Sequence, residues 1–323
     1  MTATPTPTGD HLVAVVQEAP VLLDRDATLD RAVARIAEAA ANGARLVALP
    51  ETFVPGYPFW VWKLRFDDDG ATLAALHARL LENAIDLSAG GLRPLCEAAK
   101  KHSVTVVCGI DERDGEFSRA SLYNTVVIVG PDGAIRNRHR KLMPTNPERT
   151  VWGIGDGSGL RTVTTPAGRI GSLICWENYM PLARFALFAQ GVEVYVAPTW
   201  DEGDGWAATM RHIAMEGRCW VLGASSVLQG KDVPADFPAR AQLVADEAAW
   251  INEGGSVIVD PGGSVVAGPL VNARGILYAD CPPARAGAAK RTLDVAGHYG
   301  RPDVFALTVN RDVPAPARFS GGA

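Results

Sequence analysis

The sequence predicts an α/β protein. Short apolar runs alternate with amphipathic segments along most of the chain, and two Gly/Pro-rich turns join strand-like runs into hairpins. Size agrees, because 323 residues can bury roughly three quarters of the surface that their unfolded chain would expose. No low-complexity linker or repeat breaks the pattern, so one domain is expected over 11–298. A Thr/Pro-rich leader, 1–10, is expected to be disordered, and a Pro/Gly/Arg-rich tail, 299–323, to be extended.

The elements follow in order. Leu12–Gln17 reads as the first strand. Thr28 is the expected N-cap of a helix with Val33, Ile36 and Ala40 on one face, and Gly43 ends it. Leu46–Pro50 is the next strand and runs straight into Glu51. Helices are expected at about Ala71–Ile85 and Gly91–Lys101, then a buried strand at Val104–Ile110. Tyr123–Val129 and Ala134–Arg140 flank Gly130-Pro131-Asp132-Gly133, a strong hairpin turn. Ser256–Val259 and Ser264–Ala267 flank Asp260-Pro261-Gly262-Gly263 in the same way. Between the hairpins, strands at Ile170–Ile174, Val192–Ala197 and Trp220–Ser225 alternate with helices at about Leu182–Gln190 and Trp206–Gly217.

Composition narrows the function classes. The net charge of −5 gives no electrostatic reason to expect binding to nucleic acid or to an anionic membrane. No stretch approaches the roughly 18 apolar residues of a membrane helix. The leader has no apolar h-region of a signal peptide. Cys96, Cys108, Cys175, Cys219 and Cys281 are odd in number, widely spaced and contain no CxxC pair. That argues against a disulfide framework and a structural zinc site, and makes the cytoplasm the default compartment. No ligand cluster suggests a metal or another cofactor.

Three strand ends carry reactive residues, and in α/β folds ligands collect at strand ends. Glu51 leaves an apolar strand for the aromatic loop Pro55-Gly56-Tyr57-Pro58-Phe59-Trp60. Desolvation there raises a carboxyl pKa, as a base toward a thiol requires; taken alone, the segment favours the plainer reading that Glu51 caps a turn or pairs with a surface Arg. Lys141 ends the strand after the first hairpin and offers a fixed positive charge. Glu148, seven residues on, is placed either to pair with Arg149 or to help orient Lys141. Cys175 ends an apolar strand just before a helix start, as in a strand–turn–helix elbow, with Glu177-Asn178 behind it. The N–H of Trp176 then faces developing negative charge. The other four cysteines read as small apolar filler.

In the order Glu51, Lys141, Cys175 this set resembles the nitrilase superfamily, whose members share a Glu-Lys-Cys catalytic set. Cys175-Trp176-Glu177-Asn178 looks like the nucleophile motif of its nitrilase branch. Pro55-Gly56-Tyr57-Pro58, Lys141-Leu142-Met143-Pro144-Thr145, Met210 to Arg218, and Gly297-His298-Tyr299 with Arg301 to Phe305 are similar to that branch too. One departure is Trp200, where a small residue is usual, with Gly203-Asp204-Gly205-Trp206 in place of an Arg-Asp-Thr-Trp run; it bears on substrate range.

The resemblance implies a four-layer α-β-β-α sandwich and a hydrolase that converts nitriles to carboxylic acid and ammonia through a Cys175 thioimidate and thioester. Glu51, Lys141 and Cys175 are then catalytic and Glu148 supports them, while Tyr57, Trp176 and Trp200 are the expected substrate-binding residues. It also implies homodimers that extend into larger oligomers or spirals. The alternatives are an amidase or a cyanide-hydrating enzyme of the same superfamily. A scaffold that keeps the fold without the chemistry, and a thiol redox sensor, are the readings from other classes.

Overall fold

Side chains alternate along a strand, and that decides how the layers stack. In β1 (Leu12–Gln17), Val13 and Val15 point one way, and Ala14 and Val16 point the other. Both faces are apolar, so both need a cover. The computed structural model describes residues 9–317 and Ser320. Most of the expected leader, and residues 318, 319 and 321–323 of the expected tail, lie outside the described residues.

After β1 come α1 (Arg25–Ala41), β2 (Leu46–Ala48), α2 (Phe66–Asn83), α3 (Arg93–His102), β3 (Thr105–Arg113), β4 (Leu122–Val129) and β5 (Ile135–Arg140). Then follow β6 (Val163–Thr165), β7 (Gly168–Ser172), α4 (Pro181–Phe188), β8 (Val194–Thr199), α5 (Gly203–Gly217) and β9 (Trp220–Ser225). The last stretch holds β10 (Leu228–Gln229), α6 (Arg240–Leu243), β11 (Trp250–Asn252), β12 (Gly254–Val259), β13 (Val265–Val271), β14 (Gly275–Asp280) and α7 (Pro283–Ala289).

The strands form two six-stranded sheets, in the orders β14-β1-β2-β3-β4-β5 and β13-β12-β9-β8-β7-β6, plus the small pair β10-β11. Each large sheet has three parallel strands at its centre and antiparallel strands outside them. Val13, Val15, Leu46 and Val107 of the first sheet meet Ile170, Val196, Leu222 and Ile258 of the second in a fully buried core. The outer face of the first sheet, through Ala14, Val47 and Val106, packs on Ile36 of α1 and Leu95 of α3. The outer face of the second, through Tyr195, Val221 and Val257, packs on Leu187 of α4 and on Met210 and Ile213 of α5. Each fully buried Val, Leu or Ile contributes about 1.5–3 kcal/mol relative to exposure, so the layers are stabilised chiefly by these three contacts. The arrangement is the expected α-β-β-α sandwich.

Details differ from the sequence reading. The first helix starts before Thr28: Asp24 is its cap and accepts a hydrogen bond from Ala27 N at 3.0 Å. The Thr28 hydroxyl instead donates back to the Asp24 carbonyl at 2.7 Å, inside the helix. Gly43 follows the helix end at φ 94°, where glycine is favoured. β14 and α7 had no counterpart in the sequence reading. Among the described residues no helix or strand follows α7. None of their helices is long and apolar enough to cross a membrane.

Candidate active site

β2 stops at Ala48, and the chain turns through the buried Glu51, with Thr52 at φ 39°. Gly109 on neighbouring β3 lets that turn sit close. A Cβ at Gly109 would stand 2.3 Å from the Pro50 carbonyl oxygen and 2.4 Å from Thr52 N, distances no real Cβ tolerates. So held, Glu51 accepts three hydrogen bonds. Oε1 receives Lys141 Nζ at 2.9 Å and Asn124 Nδ2 at 2.7 Å, and Oε2 receives the backbone N–H of Trp200 at 2.6 Å. Neither a turn cap nor a surface arginine is involved.

Lys141 follows β5 and stays in the sheet's register, its N–H donating to the Asn124 carbonyl at 2.7 Å. Gly155 closes over it: the Gly155 N–H donates to the Lys141 carbonyl at 2.9 Å, and a Cβ there would meet the Arg140 carbonyl oxygen at 2.2 Å. The Lys141 ammonium is shared by two carboxylates, with Glu148 Oε2 at 2.8 Å in addition to Glu51. Glu148 is fixed as the third residue of a short 3-10 helix, Asn146–Thr150, where its Oε2 also accepts from Thr145 N at 2.6 Å. Of the two partners left open for Glu148, the structure selects Lys141. Arg149 turns away and donates to the Pro144 carbonyl. Glu148 Oε1 accepts from the Tyr57 hydroxyl at 2.7 Å, which in turn accepts from Trp62 Nε1 at 2.9 Å.

Beyond β7, Cys175 opens a 3-10 helix, Cys175–Tyr179, at φ 49°. A non-glycine residue in the left-handed region costs about 1–3 kcal/mol and persists where its surroundings over-determine it. Glu177 and Asn178 supply that constraint. Glu177 accepts from Leu142 N at 2.6 Å and Ile174 N at 2.7 Å, and both its oxygens lie 3.1 Å from His139 Nε2. It thereby ties the segment just after Lys141 to the segment just before Cys175. Asn178 Nδ2 donates to the Cys175 carbonyl at 2.7 Å, and its Oδ1 accepts from the Tyr195 hydroxyl at 2.7 Å.

The charges act on one another at close range. Burial raises Glu51 above the ordinary glutamate range; Lys141 opposes this and Glu148 adds to it. Burial alone would lower the Lys141 ammonium, but Glu51, Cys175 and Glu148 hold it above the ordinary lysine value. Burial pushes the Cys175 thiol up, Glu51 pushes it further, and Lys141 pulls against both. The resting site therefore holds a protonated thiol beside a permanently charged lysine. Burial, with Glu148 next to it, also keeps the Tyr57 phenol firmly protonated.

A cavity of about 180 Å³ opens onto Cys175 and Glu148. Tyr57, Trp176 and Trp200 line it, as do Trp62, Thr145 and Asn252. Tyr57 and Trp200 stack with ring centroids 4.4 Å apart and planes 7° apart, so Trp200 stands as a wall of the space. Trp176 is held at the mouth by its indole N–H, which donates to Asp201 Oδ2 at 2.9 Å. Phe59 and Trp60 pack on Phe237 in the core instead. His298 is not among the lining residues.

The sequence assigns no role to Asn124, Asn252 or His139; it sets Glu177 behind Cys175 without a partner, and Asp201 and Glu202 in a segment that bears on substrate range without a contact. A signal existed for Asn124, a buried amide inside the apolar strand Leu122–Val129. The Trp200 N–H had none, because a backbone group carries no sequence signature.

The carbon-nitrogen hydrolase family profile matches residues 12–291. An aliphatic nitrilase from Sinorhizobium fredii is 44% identical over 301 residues, covering 93% of this chain and 95% of that protein. Nitrilase 1 of Arabidopsis thaliana is 41% identical, covering 92% of this chain and 86% of its own. A bifunctional nitrilase/nitrile hydratase of Nicotiana tabacum is 40% identical, with 95% and 88% covered. Among solved structures, the Caenorhabditis elegans NitFhit protein superposes with a TM-score of 0.69 at 21% identity, over 95% of this chain and 68% of that one. Saccharomyces cerevisiae Nit3 superposes at 0.66, also at 21% identity, over 89% and 96%. At that identity the structures speak for the fold alone. A family match spanning the whole sandwich and these 40–44% identities lead to one conclusion: the chain belongs to the carbon-nitrogen hydrolase family, in its nitrilase branch.

Proposed function

We propose that the protein is a nitrilase that hydrolyses short organic nitriles to the carboxylic acid and ammonia. The observation that carries the reading is the lysine clamped by two buried carboxylates, Glu51 and Glu148, with a strained cysteine at the floor of the same small cavity. The nitrilases it resembles supply the bond type.

In this mechanism Glu51 takes the Cys175 proton as sulfur attacks the linear nitrile carbon and passes it to the nitrogen, giving a thioimidate. Lys141 and the Trp176 N–H, near the start of the 3-10 helix where amides lack intrahelical partners, stabilise charge on that nitrogen. Water, deprotonated by Glu51, adds to the thioimidate, and ammonia leaves to give a thioester. A second water releases the acid and restores the thiol. Glu148 keeps Lys141 charged and aimed. Tyr57, Trp176 and Trp200 form the walls that the substrate touches.

An assay of ammonia and acid from matched nitriles and amides tests the assignment. Acid from nitriles with little turnover of amides supports it, and turnover of amides alone moves the protein to amidase chemistry on the same residues.

The cavity is well below the ~300–1,000 Å³ of sites for drug-sized ligands. Trp200→Ala removes one wall, so kcat/KM for a long-chain or aryl nitrile is expected to rise about tenfold or more relative to a short one. An unchanged length preference would take Trp200 out of the pocket wall.

Glu51 accepts a proton only as a carboxylate. Its pKa is raised in the folded protein, so on acidification it protonates before an ordinary glutamate, and activity falls as pH drops through that raised value. Lys141 is shifted upward, so it contributes no loss of activity below about pH 10. A profile of kcat/KM against pH checks both limbs. An acid limb at the ordinary glutamate value of about 4.3 would remove Glu51 as the base.

We further infer a cytoplasmic homo-oligomer. Its support is the pairing-free cysteine pattern and an apolar face beside α4, where Leu182 is 67% exposed and Phe305 of the tail 77%.

A further inference from the structure

We propose that the site sorts nitriles by charge, accepting those whose far end is neutral or cationic and rejecting those that end in a carboxylate. This rests on the nitrile reading above and adds a substrate class to it.

The lining of the cavity includes three carboxylates, Glu148, Asp201 and Glu202, and no Lys, Arg or His. Lys141 is not part of the lining and reaches the site through its bond to Glu148. Its side chain is fully buried and its charge is already shared between Glu51 and Glu148. Two of its three N–H donors are engaged there, and the proposed mechanism uses the third on the nitrile nitrogen, which leaves none for a group at the far end of the substrate. At the mouth, Asp201 accepts from Trp176 Nε1 and from Glu202 N, and Glu202 Oε2 accepts from Glu253 N at 2.7 Å. Among the described residues these two side chains meet N–H groups and no cation. Burial raises the Glu202 carboxyl, and Glu253 and Asp201 push it the same way although the Glu253 N–H opposes them. That is the behaviour of an acid that lacks a counter-charge.

A carboxylate entering this space loses its hydration and meets like charges, with nothing to pair with. An ammonium at the far end of a nitrile meets Glu202 or Asp201 while the nitrile carbon sits at Cys175. Tyr57, Trp176 and Trp200 wall the cavity around the reacting end, while Asp201 is half-buried and Glu202 exposed at its rim, so their field acts on a substrate as it enters and weakens with added salt.

Two measurements test this. The first compares kcat/KM for pentanenitrile, 4-aminobutanenitrile and 4-cyanobutanoate, three probes of similar reach. The anion is expected about 100-fold or more below the neutral probe, and the cation at or above it. In Glu202→Gln with Asp201→Asn, the anion-to-neutral ratio is expected to rise about tenfold. Equal turnover of 4-cyanobutanoate and pentanenitrile overturns the inference.

The second reads the cavity without any nitrile, as the rate of Cys175 alkylation by iodoacetate against iodoacetamide, each normalised to 2-mercaptoethanol. A normalised ratio about tenfold or more in favour of the neutral reagent supports charge sorting, even if no nitrile is turned over and the reaction class has to change. A ratio near one overturns it, whatever the nitrile assay shows. Cys175→Ala identifies the labelled thiol.

Discussion

A Cys175→Ala variant is expected to lose nitrile turnover by about 10⁵-fold or more, with amide turnover falling in parallel. On the proposed mechanism every covalent step passes through this sulfur, and removing the nucleophile from such a unit costs about as much as removing the whole unit. The fold should survive. The residue is 4% exposed; the thiol's hydrogen bond with Thr199 is lost, but those of its backbone carbonyl and of the neighbouring Glu177 and Asn178 do not depend on the sulfur. Alanine suffers the same left-handed strain at φ 49° as cysteine does. Ammonia release and a urea unfolding curve, measured on the same preparation, separate the two effects. A variant that keeps even about one percent of the activity with intact folding would remove Cys175 as the nucleophile.

The second large effect belongs to Lys141→Met, and it strikes stability as well as rate. Methionine fills nearly the same volume but leaves Glu51 and Glu148 facing each other in a dry site with no cation between them. Breaking a buried ion pair from one side costs about 3–5 kcal/mol, because the remaining charge is stranded. One of the two carboxyls then protonates at neutral pH, and the base and the charge stabiliser are lost together. We expect kcat to fall about 10³-fold or more. The urea midpoint at pH 7 should fall with it. Adding Glu148→Gln to Lys141→Met removes one stranded charge and is expected to recover part of the stability but none of the rate. Unchanged stability in Lys141→Met would mean the carboxylates are balanced by something other than the lysine.

The parts of this molecule that a reader could take from the sequence are those encoded locally. β1 at Leu12–Gln17 and β9 at Trp220–Ser225 match the expected strands residue for residue, because each is an apolar run closed by one polar residue. Both hairpins follow from Gly and Pro at fixed turn positions. The start of α1 was misplaced because Asp24 and Thr28 are both good capping types, and only tertiary placement decides between them. β14 is half-buried at a sheet edge, and it pairs with β1 some 260 residues away in the chain.

The site divides in the same manner. Glu51, Lys141 and Cys175 stood out as reactive residues at the ends of apolar strands, and their grouping was implied by resemblance to a family. That Lys141 Nζ reaches Glu51 and Glu148 at under 3 Å is a fact about packing that spacing does not contain. The roles of Asp201 and Glu202 were harder still to see, since a pair of acids in a polar loop ordinarily means a solvated surface. Their position over a cavity without cations gives them meaning.

The site is a seam. Glu51 and Lys141 ride on one sheet, while Cys175 and the Trp200 N–H ride on the other, and the distance between sulfur and ammonium is set by how the two sheets close on each other. A void opened in the core between the sheets, at Val107 or Leu222, is therefore transmitted to the reacting atoms without touching them. A change of similar size on the outer layers, at Leu95 or Ile213, leaves that gap alone. The sandwich thus separates two kinds of freedom: its filling is bound to the chemistry, and its outer helices are free to become surfaces for assembly.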